Sequence, residues 1–210
     1  MKEKIYKILN YNKYYILLFV LMCILSVILN ILFNKEINKI DNLLIKFIAE
    51  NLTNNRLTAS FTFLTNFGDI IVFGILILMM FLFLKNKKYS IYMILNLFLA
   101  FFLNTILKIS FRRTRPLDKL VEATGFSFPS GHTMCSTAFY GLFLYFLIIS
   151  TDKKTYKIIC SIIFLILILL IAFSRIYLNV HYFSDIVGGA IFGVLSLILF
   201  IRSLKCLEVL

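Results

Sequence analysis

The sequence has no tryptophan, only two prolines and only two histidines among 210 residues. Its four cysteines, at positions 23, 135, 160 and 206, show no CxxC or other metal-ligand spacing. This absence excludes a cysteine-based metal site, and the scarcity of histidine leaves no cluster of Asp, Glu and His that would hold Mg²⁺ or Zn²⁺. We therefore expect neither a metal nor another cofactor.

Acidic residues are also few, with 10 Asp and Glu against 22 Lys and Arg and a net charge of +12. Hydrophobic residues make up 61% of the chain, whereas soluble domains average roughly 45–50%. One small core cannot bury so much apolar surface, which excludes a soluble enzyme with a second domain and indicates a membrane protein. The basic residues lie mostly at the ends of apolar runs, where lipid head groups and topology account for them. Membrane lipids are therefore expected partners, and nucleic acid is not.

Long apolar runs organise the whole chain, and neither proline nor a charged residue interrupts them. A spanning helix needs about 20 mostly apolar residues. The first run is too long for a signal peptide and no cleavage site follows it, so we expect a retained helix. Residues 1–210 thus form a single all-α domain, an integral membrane bundle of six transmembrane helices. The runs cover residues 14–33, 70–84, 89–107, 133–150, 158–173 and 186–201.

The segment 34–67 joins the first two runs and is expected to form an outer loop. Within it, Ile40, Leu43, Leu44, Phe47 and Ile48 recur at steps of three and four residues. This spacing predicts an amphipathic helix lying on the membrane surface as a structural lid. In the sixth run, Gly189 and Gly193 form a GxxxG pattern, which lets a helix approach its neighbour closely.

Basic residues in short loops indicate the orientation of the bundle. Compact lysine-rich loops at 85–88 and 153–157 favour the cytoplasmic side. With both termini cytoplasmic, 12 of the 22 basic residues lie inside. These are Lys2, Lys4, Lys7, Lys13, Lys85, Lys87, Lys88, Lys153, Lys154, Lys157, Arg202 and Lys205. We expect a multi-pass protein of the cell membrane in this orientation.

Polar residues cluster at 108–116, 128–132 and 174–185, and both histidines of the chain lie in these clusters. Because helices alternate in direction, all three clusters fall on the same side of the membrane, the extracytoplasmic one. This convergence predicts a functional site built from the segments 108–132 and 174–185.

The segment Pro129-Ser130-Gly131-His132 stands where a loop becomes a helix. Ser130 can cap the helix, and the free N–H groups of the first turn then form an anion-binding end. Gly131 removes a side chain that would block the approach of an oxyanion. An ordinary helix cap would account for Ser130 but gives no reason for a titratable side chain at His132.

His181 and Asp185 are four residues apart, so on one helix they share a face and the carboxylate can accept an imidazole N–H. The other ring nitrogen is then free to act as a nucleophile or a base. Asp185 also stands at the head of an apolar helix, where an unpaired carboxylate is costly. The residues leave open whether His181 or His132 is the nucleophile, although the carboxylate partner favours His181.

Fixed positive charge accompanies these segments at Lys108, Arg115 and Arg175. The planar fork of Arg suits phosphate oxygens, so the expected ligand is an anion with several oxygens. Arg112 and Arg113 either join this group or extend to lipid head groups.

Together the segments read Lys108-x6-Arg115-Pro116, Pro129-Ser130-Gly131-His132 and Ser174-Arg175-x5-His181-x3-Asp185. In order and spacing they resemble the three signature motifs of the type 2 phosphatidic acid phosphatase superfamily. The resemblance implies a metal-free lipid phosphatase in which His181 attacks phosphorus and Asp185 orients it. His132 then protonates the leaving oxygen. It further implies that the phosphoryl oxygens are held by Lys108, Arg115, Arg175, Ser130 and Gly131.

The implied substrate is a lipid phosphate or diphosphate that enters from the bilayer. Candidates are undecaprenyl diphosphate, phosphatidylglycerol phosphate and phosphatidic acid; the outward-facing site and the extra Arg112 and Arg113 favour the first. Two alternatives are a lipid phosphotransferase with the same phosphohistidine and a non-catalytic lipid-binding or transport protein. The intact His132, His181 and Asp185 argue against the latter.

Overall fold

The computed structural model describes residues 2–207, without the side chains of residue 2 and residues 29–35. The side chains at the end of the first predicted run, up to residue 33, therefore lie outside the described part. The described residues form seven α-helices and one 3-10 helix, which lies at Asn66–Gly68. The seven helices are α1 (Lys2–Asn51), α2 (Asn55–Thr65), α3 (Ile70–Phe83), α4 (Lys88–Phe111), α5 (Gly131–Ile149), α6 (Lys154–Tyr177) and α7 (Phe183–Cys206).

Five of these helices are long and apolar enough to cross a membrane by themselves. Helix α3 has 14 residues, fewer than the about 20 that a straight span needs. The segment Asn55–Gly68 and α3 form a pair bent by 52°, which supplies the sixth span when counted as one. The prediction of an all-α membrane bundle is confirmed, with five candidate spans in the described residues and a sixth if this bent pair is counted as one span.

The segment 34–67 differs from the predicted outer loop, because α1 continues without a break to Asn51 and α2 follows. The amphipathic stretch is helical, but it extends the first span instead of forming a separate element. Its buried side chains include Asp41 and Ile48, whereas Leu43 is exposed. The polar residue Asp41 thus faces the protein, which the apolar spacing alone did not indicate.

Helix α5 lies at the centre of the bundle and packs against α4, α6 and α7. Its partner α7 approaches closely through the predicted GxxxG pair. A Cβ atom on Gly193 would lie 2.8 Å from the backbone oxygen of Met134, and one on Gly189 would lie 2.8 Å from that of Ser130. The glycines therefore hold the start of α7 against the start of α5.

Replacing Gly193 with alanine is expected to destabilise the protein by roughly 1–3 kcal/mol, because the added methyl group must displace the backbone of α5. The matched control is Gly74→Ala in α3, where an added Cβ meets nothing within 4 Å. This control should be neutral or slightly stabilising, since glycine inside a helix costs about 0.5–1 kcal/mol. Thermal unfolding in detergent measures both; equal midpoints for the two variants would contradict close packing at Gly193.

Candidate active site

Several helix ends and the 3-10 segment meet at one end of the bundle, around a cavity of about 500 Å³ that the start of α3 also lines. α4 and α6 end there and α5 and α7 begin there. The turn between α6 and α7 is made by Asn179, whose φ of 53° is left-handed and whose side chain donates to the carbonyl of Asp118 at 2.7 Å. Asparagine tolerates this conformation better than most residues. Six of the eight predicted site residues line the cavity: Lys108, Arg115, Gly131, His132, Arg175 and His181.

The three predicted cations are held in place by neutral oxygens. Lys108 donates to the carbonyl of Phe126 at 2.5 Å, and Arg115 donates to that of Val180 at 2.8 Å. Arg175 donates to the hydroxyl of Thr65 at 2.7 Å. Carbonyl and hydroxyl groups orient these side chains without cancelling their charge, which leaves the charge available to an anion in the cavity.

His181 and Asp185 are both buried, with Nδ1 of the imidazole 3.3 Å from Oδ2 of the carboxylate. His181 precedes α7, so the two residues do not share a helix as expected. Instead the Asp185 carboxylate accepts from the backbone N–H of Tyr182 at 2.9 Å, which caps the helix and turns His181 toward it. Ser127, which the sequence analysis did not single out, also donates to Oδ2 of Asp185.

The other ring nitrogen of His181 faces the cavity, where Nε2 lies 2.9 Å from Nη1 of Arg115. A guanidinium group can only donate, so Nε2 must be the acceptor and the ring proton must be on Nδ1. Burial lowers the pKa of His181 to about 3, which keeps the imidazole neutral at physiological pH. His181 thus presents an unprotonated nitrogen to the cavity.

His132 lies across the cavity in the first turn of α5, with Nε2 3.3 Å from Oδ1 of Asp69. The preceding Gly68 permits this contact, because a Cβ atom there would lie 3.0 Å from His132 Cδ2 and 2.8 Å from Ile171 Cγ2. Asp69 was not among the predicted site residues. A signal was present, since Asp69 is an acid at the head of an apolar run, as Asp185 is.

The remaining predicted residues lie next to the cavity in different ways. Ser130 caps α5 as expected: its hydroxyl accepts from the backbone N–H of Thr133 at 3.5 Å and from the hydroxyl of Thr133 at 3.1 Å. Gly131 faces Asn104, whose Oδ1 would be 3.1 Å from a Cβ atom. Ser130 and Asp185 are fully buried, so they support the lining residues from behind.

Arg112 and Arg113 do not join the three cations around the cavity. Arg112 ends α4 in the left-handed conformation with a φ of 48° and is exposed. Arg113 lies between two carboxylates, 2.8 Å from Asp185 and 2.6 Å from Asp41. The sequence did not indicate this pairing, because Asp41 is 72 residues away along the chain.

The sequence model of the PAP2 superfamily matches residues 89–206, more than half of the chain and the part that holds every predicted site residue. The chain belongs to the PAP2 superfamily. Phosphatidylglycerophosphatase B of Bacillus subtilis strain 168 is 39% identical to it over 99 residues, which are 44% of this chain and 47% of that relative. The match thus spans about half the length of the curated relative.

Two crystal structures resemble most or all of the bundle. One is a transmembrane PAP2-type phosphatidylglycerolphosphate phosphatase from Bacillus subtilis, with a TM-score of 0.66, 27% identity and 98% of both chains covered. The other is LpxE from Aquifex aeolicus, with a TM-score of 0.62, 27% identity and 79% of this chain and 94% of that chain covered. The first likeness includes α1 to α3, which lie outside the family model.

Proposed function

We propose that this PAP2 protein is a lipid phosphatase that hydrolyses the phosphate or diphosphate head group of a membrane lipid through a phosphohistidine. The observation that carries the proposal is the neutral Nε2 of His181, directed into a cavity with three cations. A buried carboxylate stands behind this nucleophile and a second histidine lies across the cavity. Such an arrangement fits a phosphoryl group.

In the first step, Arg115 turns its N–H from Nε2 of His181 to a phosphoryl oxygen, the freed Nε2 attacks phosphorus, and the bond to the lipid oxygen breaks. His132, as the imidazolium, gives a proton to that oxygen and becomes neutral, and Asp185 stabilises the proton held on Nδ1 of His181. In the second step, water loses a proton to His132 and attacks the phosphohistidine, which releases inorganic phosphate. Lys108, Arg115 and Arg175 stabilise the charge on the phosphoryl oxygens in both transition states.

Phosphatidylglycerol phosphate is the substrate that the relatives' names favour. Undecaprenyl diphosphate and phosphatidic acid are the other candidates. The sequence argument for undecaprenyl diphosphate used Arg112 and Arg113 as extra phosphate ligands. Arg113 is paired with two carboxylates and Arg112 is exposed, so neither arginine supports this substrate and only the outward-facing site still favours it.

The proposal is tested by phosphate release from purified phosphatidylglycerol phosphate, phosphatidic acid and undecaprenyl diphosphate in buffer containing EDTA. We expect release from at least one lipid despite the chelator, because Lys108, Arg115 and Arg175 supply the positive charge that a metal would supply. Vanadate, which adopts the five-coordinate geometry of phosphoryl transfer, is expected to inhibit. His181→Ala is the inactive control.

Other outcomes would each replace a part of the proposal. Activity lost in EDTA and restored by one divalent ion would show that the reaction needs a metal. Transfer of phosphate to a second lipid alcohol, without release of inorganic phosphate, would identify a phosphotransferase. Binding of the lipids without turnover, unchanged in His181→Ala, would identify a lipid-binding or transport protein.

We also propose that the site faces the extracytoplasmic side of the cell membrane, with both termini in the cytoplasm. Cysteines introduced at the exposed Asp118 and Lys154, at opposite ends of the bundle, test this orientation. In a background without Cys23, Cys135, Cys160 and Cys206, an impermeant thiol reagent should label Asp118→Cys in intact cells. It should label Lys154→Cys only after the cells are opened. Labelling of Lys154→Cys in intact cells would show the inverted orientation.

A further inference from the structure

Arg113 joins two buried carboxylates that come from distant parts of the chain. Its Nη1 lies 2.8 Å from Oδ1 of Asp185 and its Nη2 lies 2.6 Å from Oδ2 of Asp41. The ring of Tyr182 covers the guanidinium at 4.2 Å. We call this arrangement the Asp41–Arg113–Asp185 bridge. It links α1 to the carboxylate that contacts His181.

The two oxygens of Asp185 have different partners. Oδ2 accepts from the hydroxyl of Ser127 and from the backbone N–H of Tyr182, and it contacts Nδ1 of His181. Oδ1 is held by Arg113. The rotation of the carboxylate plane is therefore set from one side by the cap of α7 and from the other by Arg113. This rotation determines how Oδ2 meets the imidazole.

Asp41 in turn determines where the guanidinium lies. It is 1% exposed, and its carboxylate accepts from the backbone N–H and the hydroxyl of Ser184 at 3.0 and 2.5 Å. Ser184 also contacts Nη1 of Arg113 at 2.6 Å. Asp41 is thus held at the start of α7 by Ser184, independently of its contact with Arg113. It belongs to α1, outside the range 89–206 of the family model.

The bridge lies outside the cavity that His181 and the three cations line. Among the described residues, the lining of that cavity includes Lys108, Arg115 and Arg175 but neither Arg113 nor Asp41. Arg113 and Asp41 line a separate, mostly apolar cavity of about 350 Å³ between α1 and α7. Both ends of the guanidinium are paired with carboxylates, so it has little capacity left for a phosphate group.

From these contacts we infer that Asp41 and Arg113 are positioning residues for the histidine nucleophile, acting through Asp185. The inference rests on the proposed phosphohistidine mechanism and assigns α1 a part in it. Arg113 holds Asp185 Oδ1, Asp41 holds Arg113, and Asp185 orients His181. Loss of either residue should slow the attack of His181 on phosphorus while substrate binding remains.

Conservative variants of the bridge test this inference. Asp41→Asn keeps the shape and removes the charge, and Arg113→Lys keeps the charge but cannot span both carboxylates. Each should lower kcat roughly 10- to 100-fold, as misplacement of a reacting group does, with KM changed by no more than about twofold. Rapid quench with an aryl phosphate should show an equally slowed formation of phosphoenzyme. The double variant should match the slower single variant within about twofold, because both changes break the same bridge.

Glu50→Gln is the matched control, since Glu50 is an exposed acid of α1 that pairs with Lys46 and should leave kcat unchanged. Size-exclusion elution and thermal unfolding establish that each variant is folded. Folded variants with wild-type kcat, a raised KM at constant kcat, or multiplying effects in the double variant would each overturn the inference. If both single variants fail to fold, the bridge is structural and the inference is also overturned. If the wild type releases no phosphate, the proposed function fails and the inference falls with it.

Discussion

Replacing His181 with alanine is expected to abolish phosphate release from every substrate, whatever its leaving group. Without Nε2 no phosphohistidine can form, and water must attack phosphorus directly. The cations and His132 remain, so binding should persist while kcat falls by roughly 10³-fold or more. Steady-state release and rapid-quench detection of phosphoenzyme measure the two effects. Residual activity within about tenfold of the wild type on any substrate would contradict a nucleophilic role.

The pH profile gives a second test of His181. Burial lowers its pKa to about 3, so the imidazole is neutral at every pH well above that value. We therefore expect the neutral, nucleophilic form of His181 to persist from pH 8 to pH 5. A fall of kcat/KM across that interval must therefore come from another group of the free enzyme or the substrate. Because kcat/KM reports on the free enzyme, this measurement does not depend on the protonation state of His181 in the enzyme–substrate complex.

Replacing His132 with alanine is expected to have an effect that depends on the leaving group. A lipid alkoxide needs a proton to leave, so a lipid monophosphate should lose about 10²- to 10⁴-fold in rate. An aryl phosphate carries a much weaker base and should lose far less, and a lipid diphosphate should fall between the two. The comparison requires that formation of the phosphoenzyme limits the rate on each substrate.

His132 also activates water in the second step of the proposed mechanism. With the aryl phosphate, the variant should then accumulate labelled phosphoenzyme, because formation is nearly intact while hydrolysis is slow. Asp69→Asn offers a matched comparison, since it removes the carboxylate that contacts His132 and leaves the ring in place. Equal losses on all three substrates, without detectable phosphoenzyme by rapid quench, would reject His132 as the acid.

Two contacts of the predicted site residues could be predicted from the sequence because they are local. Ser130 caps a helix three residues before its donor Thr133, and His181 contacts Asp185 four residues later. The short spacing keeps each pair near one another, although His181 reaches Asp185 through the cap of α7 and not along one helix. The apolar runs also predicted membrane helices, because a segment in lipid must satisfy its own backbone hydrogen bonds and present apolar side chains.

Only the tertiary structure determines which polar side chains contact one another. Asp41 reads as one polar position on an amphipathic helix, and only packing of α1 against α7 turns it toward Arg113. The segment 55–68 is too polar to predict a span by itself, yet together with α3, which follows it at an angle of 52°, it is long and apolar enough to count as one. Composition and spacing by themselves determined that the protein lies in a membrane, that it is helical and where its motifs stand. These properties depend on neighbouring residues and on the free energy of transferring apolar side chains into lipid. Contacts between distant residues fix the partners of Arg113, the approach of Asp69 to His132 and the direction of Nε2 of His181. Spacing along the chain carries no information about those contacts.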